Sequence, residues 1–196
     1  MDAYLREVKM YIEVDKKTEY VQKGGSKFFG SPDVDADFEW PYIIDGDDEV
    51  DLEFLCQLNC EEVSCDILPQ KGMLYFFIDT LPEKWFPENK DAVRVIYSAS
   101  PTSDLDYIDS IDENGQSIGY RELKITFETN VLRNTNKMME TMTENGTEIT
   151  LLKINSDVCA LGEIELSDNS ALEIYADIEK IKSNDYTDIK IRVKNI

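Results

Sequence analysis

Gly24-Gly25-Ser26-Lys27-Phe28-Phe29-Gly30-Ser31-Pro32 opens the stretch that decides the fold. Phe38-Glu39-Trp40-Pro41, Phe54-Leu55-Cys56-Gln57-Leu58-Asn59 and Lys71-Gly72-Met73-Leu74-Tyr75-Phe76-Phe77-Ile78-Asp79 follow in order. The series is a glycine turn, an aromatic–proline corner, a strand with a central Gln and a continuous apolar strand. Phe54, Cys56 and Leu58 alternate with Leu55, Gln57 and Asn59, the period of a strand. On that reading Gln57 stands on the face opposite Phe54, Cys56 and Leu58. Met73–Ile78 has no polar break and fits a strand covered on both faces.

Strands are expected on either side of this stretch. Val8, Met10, Ile12 and Val14 alternate with polar neighbours, and Ala92–Tyr97 repeats the apolar character of 73–78. In Tyr120–Glu128, Leu123, Ile125 and Phe127 face one way. Further strands are expected at 148–154, 162–166, 171–176 and 188–194. Residues 15–53, rich in Gly, Pro and Asp, read as a long shaped loop. Glu61–Ile67 suggests one or two helical turns before Pro69. Val131, Thr135, Met138, Met139 and Met142 recur at helical spacing with Gly146 behind them, predicting a core-facing helix. The resulting class is α+β, strand-rich and mainly antiparallel, with few helices.

Three segments recur in order. Phe54–Asn59 resembles Leu151–Asn155 with Leu58 matched to Ile154, Leu74–Asp79 resembles Leu172–Asp177, and Arg94–Tyr97 resembles Lys190–Val193. The offsets are 154 − 58 = 96, 172 − 74 = 98 and 190 − 94 = 96. Internal duplication of a strand–strand–loop–strand unit is expected, giving one domain over 1–196 from two related halves, about 1–115 and 116–196.

These motifs resemble the YwqG-like family of bacterial proteins. The resemblance rests on Gly24-Gly25 with Pro32, Trp40-Pro41, Phe54-Leu55-Cys56-Gln57-Leu58, Gly72-Met73-Leu74-Tyr75-Phe76-Phe77 and Val95-Ile96-Tyr97. In the second half, Leu151-Leu152-Lys153-Ile154 and Asp168-Asn169-Ser170 depart from the pattern: Lys153 replaces a Gln and Ser170 a Gly. The resemblance implies a duplicated α+β fold and no established activity.

Composition narrows function. With 41 acidic against 20 basic residues the formal net charge is −21. Such acidity disfavours phosphate backbones and anionic lipid, so neither a nucleic acid nor a membrane is expected as partner; a basic protein is compatible with it. The absence of histidine excludes Ser-His-Asp and Cys-His catalysis and His-ligated zinc within this chain. No apolar run approaches a membrane span, and Met1–Glu7 lacks a signal-peptide pattern, so a cytoplasmic location is expected. Cys56, Cys60, Cys65 and Cys159 lack the tight spacing of zinc ribbons and read as buried thiols.

Candidate sites are few. Asp45, Asp47 and Asp51, within the acidic run 45–53, are candidate calcium ligands, but the EF-hand order is missing and a solvated loop is favoured. Asp104–Glu113 before Asn114-Gly115 reads as a hairpin loop. Gly24, Gly25 and Gly30 lack the strand–loop–helix context of a phosphate loop. Gln57 is the most informative single residue. It either ties down the 24–53 loop through backbone groups, the favoured reading, or faces a ligand. Trp40 reads as a packed corner, and Trp40, Tyr75 and Asp79 join Gln57 as candidate ligand or partner residues. No catalytic residue and no cofactor is assigned. The expectation is a non-enzymatic binding or accessory protein, in its more concrete form one of the immunity type that neutralises a basic protein. The alternative is an enzyme or small-ligand binder using a cleft between the halves.

Overall fold

The computed structural model describes residues 10–15, 21–63, 65–85, 90–108, 121–128, 137–138, 140–141 and 147–196. The first half holds β1 (Met10–Asp15), β2 (Lys27–Phe28), β3 (Asp33–Val34), β4 (Tyr42–Asp45), β5 (Asp48–Asp51), β6 (Glu53–Asn59), β7 (Met73–Ile78), β8 (Val93–Ser98) and β9 (Asp106–Tyr107). The second holds β10 (Leu123–Glu128), β11 (Lys137–Met138), β12 (Glu140–Thr141), β13 (Glu148–Asn155), β14 (Ser170–Asp177) and β15 (Lys190–Asn195). The described helices, α1 (Ser156–Cys159) and α2 (Ile178–Lys182), are short. Asn155 and Asp177 cap them, each side chain accepting from backbone N–H groups of the first turn.

The main sheet runs β15-β14-β13-β11-β1-β10-β2-β6-β7-β8, with β12 also on β13, and its pairings are antiparallel. From its centre the order reads alike both ways: a long strand (β1 or β10), a two-residue strand (β11 or β2), then a meander of three. The halves interleave. β1 pairs with β10 and β11, both from beyond residue 115, while β10 pairs with β2.

The two outer meanders share a register. Leu58 faces Leu74 as Ile154 faces Leu172, and Phe76 faces Val95 as Ile174 faces Ile191. A register shift falls between Phe54 and Cys56 in one and between Thr150 and Leu152 in the other. Positions separated by 96 to 98 residues in sequence thus occupy equivalent places in the sheet; this equivalence describes geometry, not descent.

Apolar side chains from both meanders meet in one large core that includes Cys56, Leu58, Leu74, Phe76, Leu152, Ile154, Leu172, Ile174 and Ile191. A second cluster covers the other face of the first meander: Val34, Leu52, Phe54, Met73, Tyr75, Phe77 and Leu105, with Phe38 and Trp40 packed on it. The unbroken apolar run of β7 follows from this double burial, every residue of it being buried.

Several expectations change. The 15–53 loop contains β2, β3 and the β4–β5 hairpin. Residues 61–63 and 65–67 form turns without a helix, and 163–166 form no strand. Met138 of the expected Met-rich helix lies in β11 beside β12, so the described part of 131–142 is extended. Val131, Thr135, Met139, Met142 and Gly146 lie outside the described residues, as do Asp109, Asp112, Glu113, Asn114 and Gly115 of the expected acidic hairpin loop.

Candidate functional site

The irregularity at Leu55 sets the chemistry of β6. The Phe29 N–H donates to the Leu55 carbonyl at 2.9 Å, and the shift sends two successive core side chains, Leu55 and Cys56, to the same side. Phe54 therefore shares a face with Gln57 rather than opposing it: Phe54 pairs with Phe77 and Gln57 with Tyr75, and all three aromatic rings belong to the second cluster. A β-bulge does this because the extra residue breaks the two-residue alternation.

Gln57 is fully buried, and its amide is committed. Nε2 donates to the Gly25 carbonyl at 2.9 Å and to Asp33 Oδ2 at 2.7 Å, while Oε1 accepts from the Asp33 N–H at 2.8 Å. Asp33 gathers further donors. Gly24 N–H reaches Oδ2 at 2.9 Å, Lys27 Nζ lies 3.4 Å from Oδ1, and the Tyr75 hydroxyl donates to the Asp33 carbonyl at 2.6 Å. Lys27, only 1% exposed, is neutralised from both sides, with Glu122 Oε1 at 2.6 Å, and its ammonium lies 5.1 Å from the Tyr107 ring centre. Asn59 and Ser26 close the far end: Asn59 N–H donates to Ser26 Oγ, and Asn59 Nδ2 to the Gly24 carbonyl.

Such a network is worth having only when complete, because a buried polar group without a partner costs about 1–3 kcal/mol. Burial first, then the nearby Asp35 and Asp33 charges, push the Tyr75 hydroxyl well above its usual pKa, keeping it a donor. The network fastens the glycine loop and β3 onto β6 and β7. It presents neither Gln57 nor Tyr75 to solvent.

The other candidates lie apart. Trp40 donates from Nε1 to the Leu52 carbonyl at 2.8 Å and meets Phe77 edge-on at 5.0 Å, so it roofs the second cluster. Asp79 caps the turn after β7: its Oδ1 accepts from the Leu81 N–H, its carbonyl from Trp85 Nε1, and Lys84 lies 3.5 Å from its Oδ2. In the β4–β5 hairpin, Ile43 pairs with Val50 and Asp45 with Asp48, while Tyr42 pairs with Asp51 and Ile44 with Glu49. Ile43 packs on the second cluster, so Tyr42, Ile44, Glu49 and Asp51 form the outward face.

Asp45 and Asp51 thus stand on opposite faces, and Asp47 sits in the turn after Gly46 (φ +68°). The hydrogen bond from Lys84 holds the Asp45 carboxyl below its usual pKa. Among the described residues no group of three His, Cys, Asp or Glu side chains is placed to hold a metal ion. The four thiols are free and buried, and burial pushes Cys60 up to about 11 and Cys159 up to about 12.

A cleft of about 680 Å³ lies on the solvent side of the glycine loop, lined by Lys23, Gly24, Gly25, Glu61, Glu62 and Lys124 among others. Gln57, Tyr75 and Asp79 are not part of its lining. Sequence reading overlooked Lys27, Asp33 and Glu122, which are the charged members of the buried network. A lysine followed by Phe28-Phe29 and an aspartate followed by Val34 are charges within apolar surroundings, the signal that points to burial in a pair. Among the described residues no helix is long and apolar enough to cross a membrane.

A chain built as one large antiparallel sheet, with an apolar roof over one meander, is the class that this geometry defines. The family model of a domain of unknown function (DUF1963) matches residues 26–191, and the chain belongs to that family. A search of curated proteins returns no match.

Proposed function

We propose that this protein, YwqG-like in its first-half motifs, is a non-enzymatic binding protein that docks a basic protein, in the manner of an immunity protein. The observation that carries this reading is the outward face of the β4–β5 hairpin. Ile44 is 64% exposed and Tyr42 48% exposed, and they stand opposite Glu49 and Asp51. An aromatic and an aliphatic side chain set among carboxylates suit the stems and charged heads of Lys and Arg. The net charge of −21 would speed the encounter and make it sensitive to salt. Affinity capture from host lysate at low salt is the test. The unmodified chain is expected to retain a defined basic protein that E49K/D51K does not and that high salt releases. Recovery of no such protein counts against the reading.

A second reading, small-ligand binding, is favoured by the cleft beside the glycine loop. Lys23 and Lys124 line it together with Asp15, Glu61 and Glu62, and Asp15 stands across from Lys124 in the β1–β10 pairing, so both signs of charge face the cleft. Its volume suits a small molecule. A thermal-shift screen of anionic metabolites that stabilises the chain, with the gain lost in K23A/K124A, supports this reading, whereas no stabilisation by any compound removes it.

A further inference from the structure

β15 carries Lys190, Arg192 and Lys194 at alternate positions, so one face of the strand holds a row of three cations roughly 7 Å apart. The row is anchored from beneath. The Arg192 guanidinium lies 4.4 Å from the Tyr175 ring centre and 2.7 Å from the Glu173 carboxylate. Lys194 lies 3.2 Å from the same carboxylate, and Lys190 lies 3.6 Å from Glu148. One buried acid thus answers two of the three cations. Glu173 is 1% exposed, whereas the side chains of Lys190, Arg192 and Lys194 are 35%, 30% and 42% exposed. What the row offers to solvent is positive, on a chain of net charge −21.

The acidic counterpart stands in the same chain. On the outward face of the β4–β5 hairpin, Glu49 and Asp51 repeat the two-residue spacing of the cations, with Tyr42 and Ile44 opposite them. The 3₁₀ turn Pro82–Trp85 adjoins both elements. It lies against β15, and its Lys84 holds Asp45, at the end of β4, at 2.8 Å. Leu81, just before that turn, is 46% exposed and adds an apolar contact between the two rows. Phe38, Trp40 and Ile43 roof the first meander, and among the described residues no such cluster covers the matching face of the second.

We infer that two copies of this chain associate about a two-fold axis, the β15 row of each seated on the hairpin face of the other. A surface that carries an acidic and a basic row is self-complementary under such an axis, and the assembly closes at two. This rests on the proposed reading of the hairpin as a seat for Lys and Arg, and it names a second copy as an occupant. Tyr42 and Ile44 meet the aliphatic stems of the row, and Glu49 and Asp51 meet its charged heads. The basic protein and the second copy then compete for one seat. The overall charge opposes association, but at physiological salt charges more than about 8 Å apart are largely screened, so the rows in contact decide.

The test is a charge swap in the full chain, read by sedimentation equilibrium at physiological salt. E49K/D51K turns the hairpin basic, and K190E/K194E turns the β15 row acidic while Arg192 still holds Glu173. Each variant alone sets like charges against each other and is expected to weaken self-association by at least about tenfold. An equal mixture of the two is expected to restore it, because every hairpin then faces a row of opposite sign. Restoration also shows that both variants are folded. E49Q/D51Q and K190Q/K194Q, which only neutralise, are carried in parallel, and a dimer that both leave unchanged overturns the inference. So does an unmodified chain that stays monomeric at millimolar concentration, whatever basic protein the hairpin captures from lysate. A mixture as weak as its parts, with both reversed variants keeping the unmodified urea midpoint, overturns it as well. A restored dimer with no basic protein captured from lysate supports the inference and leaves the second copy as the occupant of the hairpin.

Discussion

The two outer meanders place different chemistry at equivalent positions. Across β2, β6, β7 and β8 one row reads Lys27, Gln57, Tyr75 and Ile96; across β11, β13, β14 and β15 the matching row reads Lys137, Lys153, Glu173 and Arg192. The first row lies under the aromatic roof of Phe38, Trp40 and their cluster. Its charge is confined to Lys27, and its polar atoms are spent on the glycine loop. In the second row Glu173 is 1% exposed and is held by the Arg192 guanidinium at 2.7 Å, Lys194 at 3.2 Å and the Thr150 hydroxyl at 3.0 Å. Arg192 and Lys194 themselves keep 30% and 42% side-chain exposure. Under the roof the central position is the neutral Gln57 and the one cation of the row, Lys27, is closed in by Asp33 and Glu122, whereas the second row centres its charge on Glu173 with two cations at the exposed margin.

The largest expected effect separates these rows. Q57E sets a carboxylate against Asp33 Oδ2, now 2.7 Å from the Gln57 amide, and removes the amide donor between them; it is expected to cost about 4 kcal/mol in urea unfolding. Equal losses for Q57E and K153E would break the comparison.

Next comes the joint between the halves. A Cβ on Gly162 would lie 2.1 Å from the ring of Phe29, itself buried at φ +56°. Overpacking of that kind makes G162A about 3 kcal/mol less stable, measured in the same way.

Glu173 gives a smaller, pH-dependent effect. Burial acts to raise its pKa, but the Arg192 hydrogen bond and the Lys194 and Arg192 charges outweigh burial and hold it below the usual value. A lowered folded-state pKa contributes stability above the ordinary carboxylate range that is lost as pH falls through the folded value. E173Q is expected to cost about 2 kcal/mol near neutrality, and the gap to the unmodified chain closes below about pH 4. A gap that persists at pH 3 would show that packing rather than charge makes the difference.

The smallest effect is expected for K153Q, which restores the residue found at the matching first-half position. Lys153 is half-buried, and the change is expected to move stability by less than about 1 kcal/mol. A loss as large as that of Q57E would show that the second row is as closed as the first.

Much of the sheet was legible residue by residue. Alternation in 123–128 and 148–154 and the apolar run 73–78 mark strands because the two-residue period and double burial leave local traces. The β4–β5 hairpin was hidden in a stretch dominated by acids, since its outward face lacks the usual polar–apolar alternation. The Met138 region misled because a helical spacing of a few methionines outweighed no tertiary information. Gln57 was recognisable as a polar residue on a covered strand, but Asp33 and Lys27 were not recognisable as its companions.

By itself the sequence determined the strand-rich class, the glycine turn at Gly24-Gly25, the acidity, and the want of a histidine-based site, all of which depend on local pattern or on counting. Only the tertiary structure decided which face of β6 carries Gln57 and what neutralises Lys27. Those depend on the break in alternation at Leu55 and on contacts such as Lys27 with Glu122, 95 residues apart. Whether two charges meet across that separation is settled by the pairing of β10 with β2, not by any property of their neighbours in sequence.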